Sequence, residues 1–306
     1  MKQKFYTVLT FLLIGASAWA GSNGGYAGSF SRMGLGAQGL AMGNTGVAGS
    51  RNGFAAYYNP AGLSYLEDKY VSMTYYFLSM DRKFHYVGFA LPLRPSAGIA
   101  VAWTHAGVSD IEGRSFTGRV DDTYSTGENA FILSFSNRFF QKFSVGISFK
   151  YLQHNLLEIS GSGVGFDIGF LYQPFEPLFV GLQIKDFNAG YTWNTQDIFN
   201  EQGSNYTEKF PQILKLGIAW RCLANLLIAG DYEISDQADS RIHLGAEYTF
   251  KDLINIRAGL NHSNPTFGFG IAYDILPRVS SRLDYSSVFG VAGEGVTHVI
   301  SWEFQL

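Results

Sequence analysis

The sequence predicts an all-β fold, a closed antiparallel transmembrane β-barrel of about fourteen strands with an N-terminal segment lodged in its lumen. Three observations carry this expectation. From Lys69 to Leu306 apolar and polar residues alternate in blocks of roughly ten, the last ending on Trp302, Glu303, Phe304, Gln305 and Leu306. The chain is rich in Gly (36), Phe (26) and Tyr (18) but only 15% charged, where soluble domains average about 25%. Finally, no stretch after residue 20 reaches the roughly twenty apolar residues a membrane helix needs. A chain made for lipid but lacking such a helix must pair its backbone groups in a closed sheet.

The first element reads as an export leader. Lys2 and Lys4 precede an apolar run from Phe5 to Ala16, and Ala18-Trp19-Ala20 has the small-x-small pattern of a cleavage site, which predicts a signal peptide over residues 1–20. The second element, residues 21–66, holds twelve glycines and no long apolar stretch. Within it Asn59 is placed to cap a short helix, with Pro60 in the first turn where its missing N–H costs nothing. Small residues at Gly39, Ala41, Gly43, Gly46, Ala48 and Gly49 permit close backbone contact in a narrow space. Both features fit a plug inside the barrel, leaving 67–306 for the barrel itself.

The barrel strands follow from period-two alternation bounded by turn residues: 69–79, 83–91, 96–105, 128–137, 142–153, 163–172, 177–187, 211–221, 224–234, 240–250, 253–262, 265–274, 278–287 and 296–306. In the fifth, Phe143, Val145, Ile147, Phe149 and Tyr151 share one face while Ser144, Gly146, Ser148 and Lys150 share the other. A slip of one residue would put Lys150 or Asp167 into lipid, at about 2–4 kcal/mol for a lysine at the midplane. Connections alternate between short turns and longer segments, so all the long ones (106–127, 154–162, 188–211, 287–295) fall on one side, as outside loops do. These long segments are read as irregular, exposed loops.

The segments Gly39-Leu40-Ala41-Met42-Gly43-Asn44-Thr45-Gly46-Val47-Ala48 and Tyr58-Asn59-Pro60-Ala61-Gly62-Leu63 resemble the N-terminal signature of FadL-like outer-membrane proteins, and within them the PorV/PorQ family. The resemblance implies a fourteen-stranded barrel crossing the outer membrane of a Gram-negative cell many times, with the leading segment in its lumen. Met42, Gly43, Asn59, Pro60, Ala61 and Gly62 are the plug residues it singles out.

By strand parity the lumen should hold Lys150, Asp167, Lys215, Asp231, Glu233, Glu247, Arg257 and Arg282, with Lys185, Arg221, Asp274, Asp284 and Glu303. Both signs are balanced, which predicts ion pairs, Glu247 with Arg257 and Lys215 with Asp231 or Glu233, and disfavours a single-sign selectivity ring. Phe84, Tyr86 and Phe179 point inward and could line an apolar site or pack on the plug.

No catalytic constellation is visible. Of six histidines only His243 is both lumenal and well inside a strand, and no serine partners it. Metal-ligand spacing and a phosphate loop are also missing, so neither metal nor cofactor is expected. A net charge of −3 and the lack of a basic cluster argue against nucleic acid, and the lone Cys222 cannot form an internal disulfide. Two functions stay open: passage of small hydrophobic or amphipathic molecules, as the FadL resemblance implies, and a docking or shuttle barrel for proteins of a type IX-like secretion system, as PorV-like members imply.

Overall fold

A computed structural model describes residues 25–157, 159–195, 203–290 and 295–306; the expected leader, 1–20, lies outside them. The strands are β1 (Tyr70–Phe77), β2 (Arg82–Leu93), β3 (Ala97–Arg114), β4 (Val120–Phe139), β5 (Phe143–Leu156), β6 (Ile159–Phe175), β7 (Leu178–Phe187), β8 (Gly190–Asn194), β9 (Asn205–Lys209), β10 (Ile213–Leu223), β11 (Leu226–Ser235), β12 (Arg241–Phe250), β13 (Ile254–Asn261), β14 (Asn264–Leu276), β15 (Val279–Phe289) and β16 (Val296–Gln305).

Fourteen of these form an antiparallel ring. Each strand from β1 to β7 pairs with the next, β7 pairs with β10, the series continues to β16, and β16 closes on β1 from Tyr70–Gln305 to Phe77–His298. Closure removes the edges that a bilayer cannot solvate. The remaining two strands, β8 and β9, form a hairpin that touches the ring at Gly161–Trp193 and Ser162–Thr192 of β6.

Alternation sets the two faces as expected. Ile147, Ile242 and Ile256 are about half exposed on the outside, while Ser148, His243 and Arg257 beside them are buried. Val101, Leu133, Phe149, Ile218, Trp220, Leu244 and Phe269 extend the same outer surface. Apolar exposure spread round a whole wall far exceeds the few hundred Å² a soluble monomer tolerates, so this surface faces lipid and the chain is a multi-pass membrane barrel of the outer-membrane kind.

Two expectations about the long connections need correction. Between 106 and 127 the chain is β-structure, because β3 and β4 continue pairing to Arg114–Val120 past an irregularity between Val108 and Ile111. Between 188 and 211 lies the β8–β9 hairpin. The ends of β3 and β4 and all of β9 are largely exposed on both faces, so apolar residues do not alternate there, and β8, which buries Tyr191 and Trp193, is only five residues long; a period-two reading misses these strands.

Residues 25–66 lie inside the ring as short turns of helix: 3₁₀ turns at Ser29–Arg32 and Pro60–Tyr65 and α-helical turns at Ala37–Ala41 and Ala55–Tyr58. None is long enough to be stable alone. Their order comes from the wall around them.

Candidate functional site: the plugged lumen

Close approach of plug and wall depends on glycine on both sides. Gly43 has φ of +72°, and a Cβ there would stand 2.2 Å from Leu244 O of the wall. Opposite, a Cβ on Gly259 would lie 2.2 Å from Gly43 N, and one on Gly217 would lie 2.7 Å from Val47 Cβ. Backbone therefore meets backbone. Asn59 does what its place in the sequence suggested: its Oδ1 accepts from Ala61 N at 3.0 Å, with Pro60 opening the turn. Its amide also donates to Val47 O (2.7 Å) and to Phe170 O of β6 (3.0 Å), tying two plug segments and the wall together.

The wall supplies acceptors for plug N–H groups, most of which no helix satisfies. Asp231 accepts from Gly46 N (2.8 Å) and Val47 N (3.1 Å), Glu303 from Gly53 N (2.9 Å), Ser301 Oγ from Ala37 N (2.6 Å) and Thr266 Oγ1 from Gly43 N (3.1 Å). Inside the plug, Tyr57 and Tyr58 donate to Ser31 O and Leu35 O, both at 2.7 Å.

Charged side chains form paired groups around the lumen. Arg257, fully buried, donates to Glu247 and Asp284, each at 2.6 Å; Arg282 reaches Asp284 (3.0 Å) and Glu303 (2.8 Å). Lys215 pairs with Glu233 at 2.6 Å, not with Asp231, whose carboxylate serves the plug. Lys150 bridges Asp167 and Asp186 at 2.6 Å each. His243 directs Nδ1 to Gly43 O (3.1 Å) and Nε2 towards Glu233 (3.4 Å), a plug-facing role. Eleven of the thirteen charged residues expected in the lumen face it, with Arg282 the least buried. Arg221 and Asp274, assigned inward by parity, are instead exposed at the short-turn end.

The three aromatic candidates do not share one site. Phe84 packs on Tyr76 (ring centroids 4.7 Å apart) and Tyr86 on Phe54 of the plug (5.6 Å), with Tyr86 Oη donating to Gly53 O. Phe179 lies in a separate cluster towards the short turns, under the Arg51 guanidinium and beside Tyr65. Towards the long-hairpin side the lumen is aromatic: Phe30, Tyr57, Tyr76, Tyr191, Trp193 and Phe210 are buried in one cluster. Among the described residues the cavities are small, one beside Met42 and Asn52 with about 40 Å³ for water and one beside Phe30 and Lys185 with about 20 Å³.

Asp186 is the residue that parity missed. Lys185 points inward, so its neighbour should face lipid, yet Asp186 is 1% exposed. Here β7 leaves the wall. Asp186 and Asn188 take φ of 58° and 52°, Asp186 N donates to Asp167 Oδ1 (2.8 Å), and Ala189 and Gly190 pass against the lumenal side of Gly165 and Gly163. Among the described residues, β10 begins at Ile213 opposite Lys185 and β9 pairs only with β8. Beyond that level, among the described residues, no strand pairs with both β6 and β10; of these two, β8 pairs with β6 alone, at Gly161 and Ser162. A carboxylate on the lipid parity of a transmembrane strand was the available signal for this break.

Neither a family model nor a curated protein matches the chain. Solved structures do. The monoaromatic hydrocarbon channel CymD aligns with a TM-score of 0.62 at 14% identity over 89% of this chain and 96% of that one. The Pseudomonas putida toluene transporter TodX gives 0.61 at 14% over 89% and 97%, and a Pseudomonas aeruginosa FadL homologue 0.60 at 10% over 89% and 98%. At such identities the likeness is one of fold, that of FadL-type barrels.

Proposed function

We propose that this chain is an outer-membrane barrel through which small hydrophobic or amphipathic molecules pass. The observation that carries the reading is the inward departure of β7 at Asp186, which interrupts the strand ring beside the aromatic part of the lumen. A hydrophobic solute reaching that level gains more by moving sideways into acyl chains than by continuing into water, at about 25 cal/mol per Å² of apolar surface. The plug below it, held by the wall's carboxylates and hydroxyls, blocks the straight route. Channels of the same fold that carry toluene and other monoaromatic hydrocarbons support the assignment of solute class. Uptake of labelled toluene by Gram-negative cells with and without the chain tests it. Faster uptake with the chain is expected; equal rates would contradict passage.

The export leader belongs to the same proposal, and sequencing the N-terminus of the membrane-extracted protein should find the cut after Ala20. A second reading, a PorV/PorQ-like docking barrel for type IX-like secretion, draws on a lumen with only small cavities and on hairpins β3–β4 and β8–β9 that outrun the ring. Co-purification of secreted proteins or translocon components distinguishes it from a passage barrel, which should be isolated without them.

A further inference from the structure

The cavity between plug and wall at β5, β6 and β7 has a mixed lining, charged at Lys150, Asp167 and Lys185 and apolar at Phe30, Ile132 and Leu152. Among the charged groups the hydrogen bonding is nearly complete. Lys150 holds Asp167 Oδ1 and Asp186 Oδ1, Asp167 Oδ1 also accepts from Asp186 N, and Asp186 Oδ2 accepts from Ser31 Oγ at 2.9 Å.

Two groups are left over. Asp167 Oδ2 is buried without a donor. Lys185, 3% exposed, has its ammonium 3.5 Å above the Tyr57 ring, and no oxygen of the described residues accepts from it. The cavity is thus lined by Lys185 Nζ, with no oxygen acceptor among the described residues, and by Asp167 Oδ2, with no donor, set in a group whose two lysines and two aspartates sum to zero charge.

These facts select a ligand. A carboxylate would bring an uncompensated charge into a buried, balanced cluster. A pure hydrocarbon would leave both polar atoms unpaired. A hydroxyl accepts and donates at once, so it alone of these three answers both. We propose that this cavity binds a hydroxylated apolar molecule of phenol size, with its hydroxyl between Lys185 Nζ and Asp167 Oδ2 and its ring against Phe30, Ile132 and Leu152. The site deepens the passage reading above and rests on it for the source of its ligand. With about 20 Å³ open, binding a ring requires Phe30, in the four-residue turn Ser29–Arg32, to turn aside.

Calorimetric titration of the purified full chain in detergent tests the site, with p-cresol, toluene and 4-methylbenzoate as probes. Hydrogen bonds to charged groups should make p-cresol bind about ten- to a hundredfold more tightly than toluene, with 4-methylbenzoate no better than toluene. Lys185→Met should bring p-cresol down to the toluene level, and Phe30→Ala, which touches neither polar atom, should tighten p-cresol. Equal binding of p-cresol and toluene to the native chain would overturn the proposal and leave the cavity to a structural water; tightest binding of the benzoate would overturn it in favour of an anion site. The native comparison decides even if Lys185→Met fails to fold. Because titration involves no flux, its failure leaves the uptake assay standing, and failed uptake leaves the titration standing.

Discussion

Gly43 shows how a single residue fixes the geometry of the lumen. Its left-handed backbone and its contact with Leu244 O leave no room for a methyl group. Gly43→Ala should therefore cost about 1–3 kcal/mol through overpacking and the left-handed conformation, and Gly217→Val should do the same from the wall side by striking Val47. Thermal unfolding should drop for both, and planar-bilayer recordings should show larger ion currents than the native barrel as the plug unseats. Unchanged current with a lower melting point would mean that the contact is structural but does not seal.

Arg257 makes a different residue-scale case. Its guanidinium is buried between Glu247 and Asp284, so Arg257→Met leaves Glu247 without its cation and Asp284 with Arg282 alone. Removing one member of such a buried group costs about 3–5 kcal/mol, whereas replacing the whole group by neutral residues is often near neutral. Denaturant unfolding of Arg257→Met should show the loss, and adding Glu247→Gln and Asp284→Asn should restore most of it.

At the scale of elements, β5 states the rule for the wall. Ile147 faces lipid and Lys150 faces the lumen three residues on, so Ile147→Lys should cost about 2–4 kcal/mol in folding into a bilayer. An equilibrium folding titration in lipid vesicles measures it, and a cost near zero would place Ile147 away from the acyl layer. This same contrast is why the ring strands were legible in the sequence: lipid on one face and a wet, packed lumen on the other impose period two. Where the contrast vanishes, so does the signal. The outer parts of β3 and β4 and all of β9 meet water on both sides and read as loops until their ladders are seen, and β8, which buries Tyr191 and Trp193, has only five residues in which to show its alternation. Asn59 and Pro60 were legible because capping is local chemistry. Asp186 was not, since its burial comes from a left-handed turn that breaks strand parity. The pairing of Lys215 with Glu233 instead of Asp231 follows from the β10–β11 register, which sets Lys215 directly opposite Glu233 and Asp231 opposite Gly217, leaving Asp231 to the plug.

For the whole molecule, wall and plug are complementary surfaces of one chain. Glycines on the inner faces of the strands admit the plug backbone, carboxylates and hydroxyls accept its N–H groups, and paired charges keep the remaining lumen neutral. The combination explains how a segment with only single turns of helix can be ordered at all: the barrel provides the partners that a longer helix would have provided internally. Among the described residues it leaves small cavities beside Met42 and Asn52 and beside Phe30 and Lys185.

Central to the account is a barrel stoppered by its own leading segment, and the approach of Gly49 to Ala219 of the wall, where a Cβ on Gly49 would stand 3.8 Å from that of Ala219, reports on it most directly. With Cys222→Ser as background, cysteines placed at 49 and 219 should cross-link nearly completely under mild oxidation in native membranes, while resisting alkylation beforehand. If the two thiols instead label freely and never join, residues 25–66 do not occupy the lumen and the account fails.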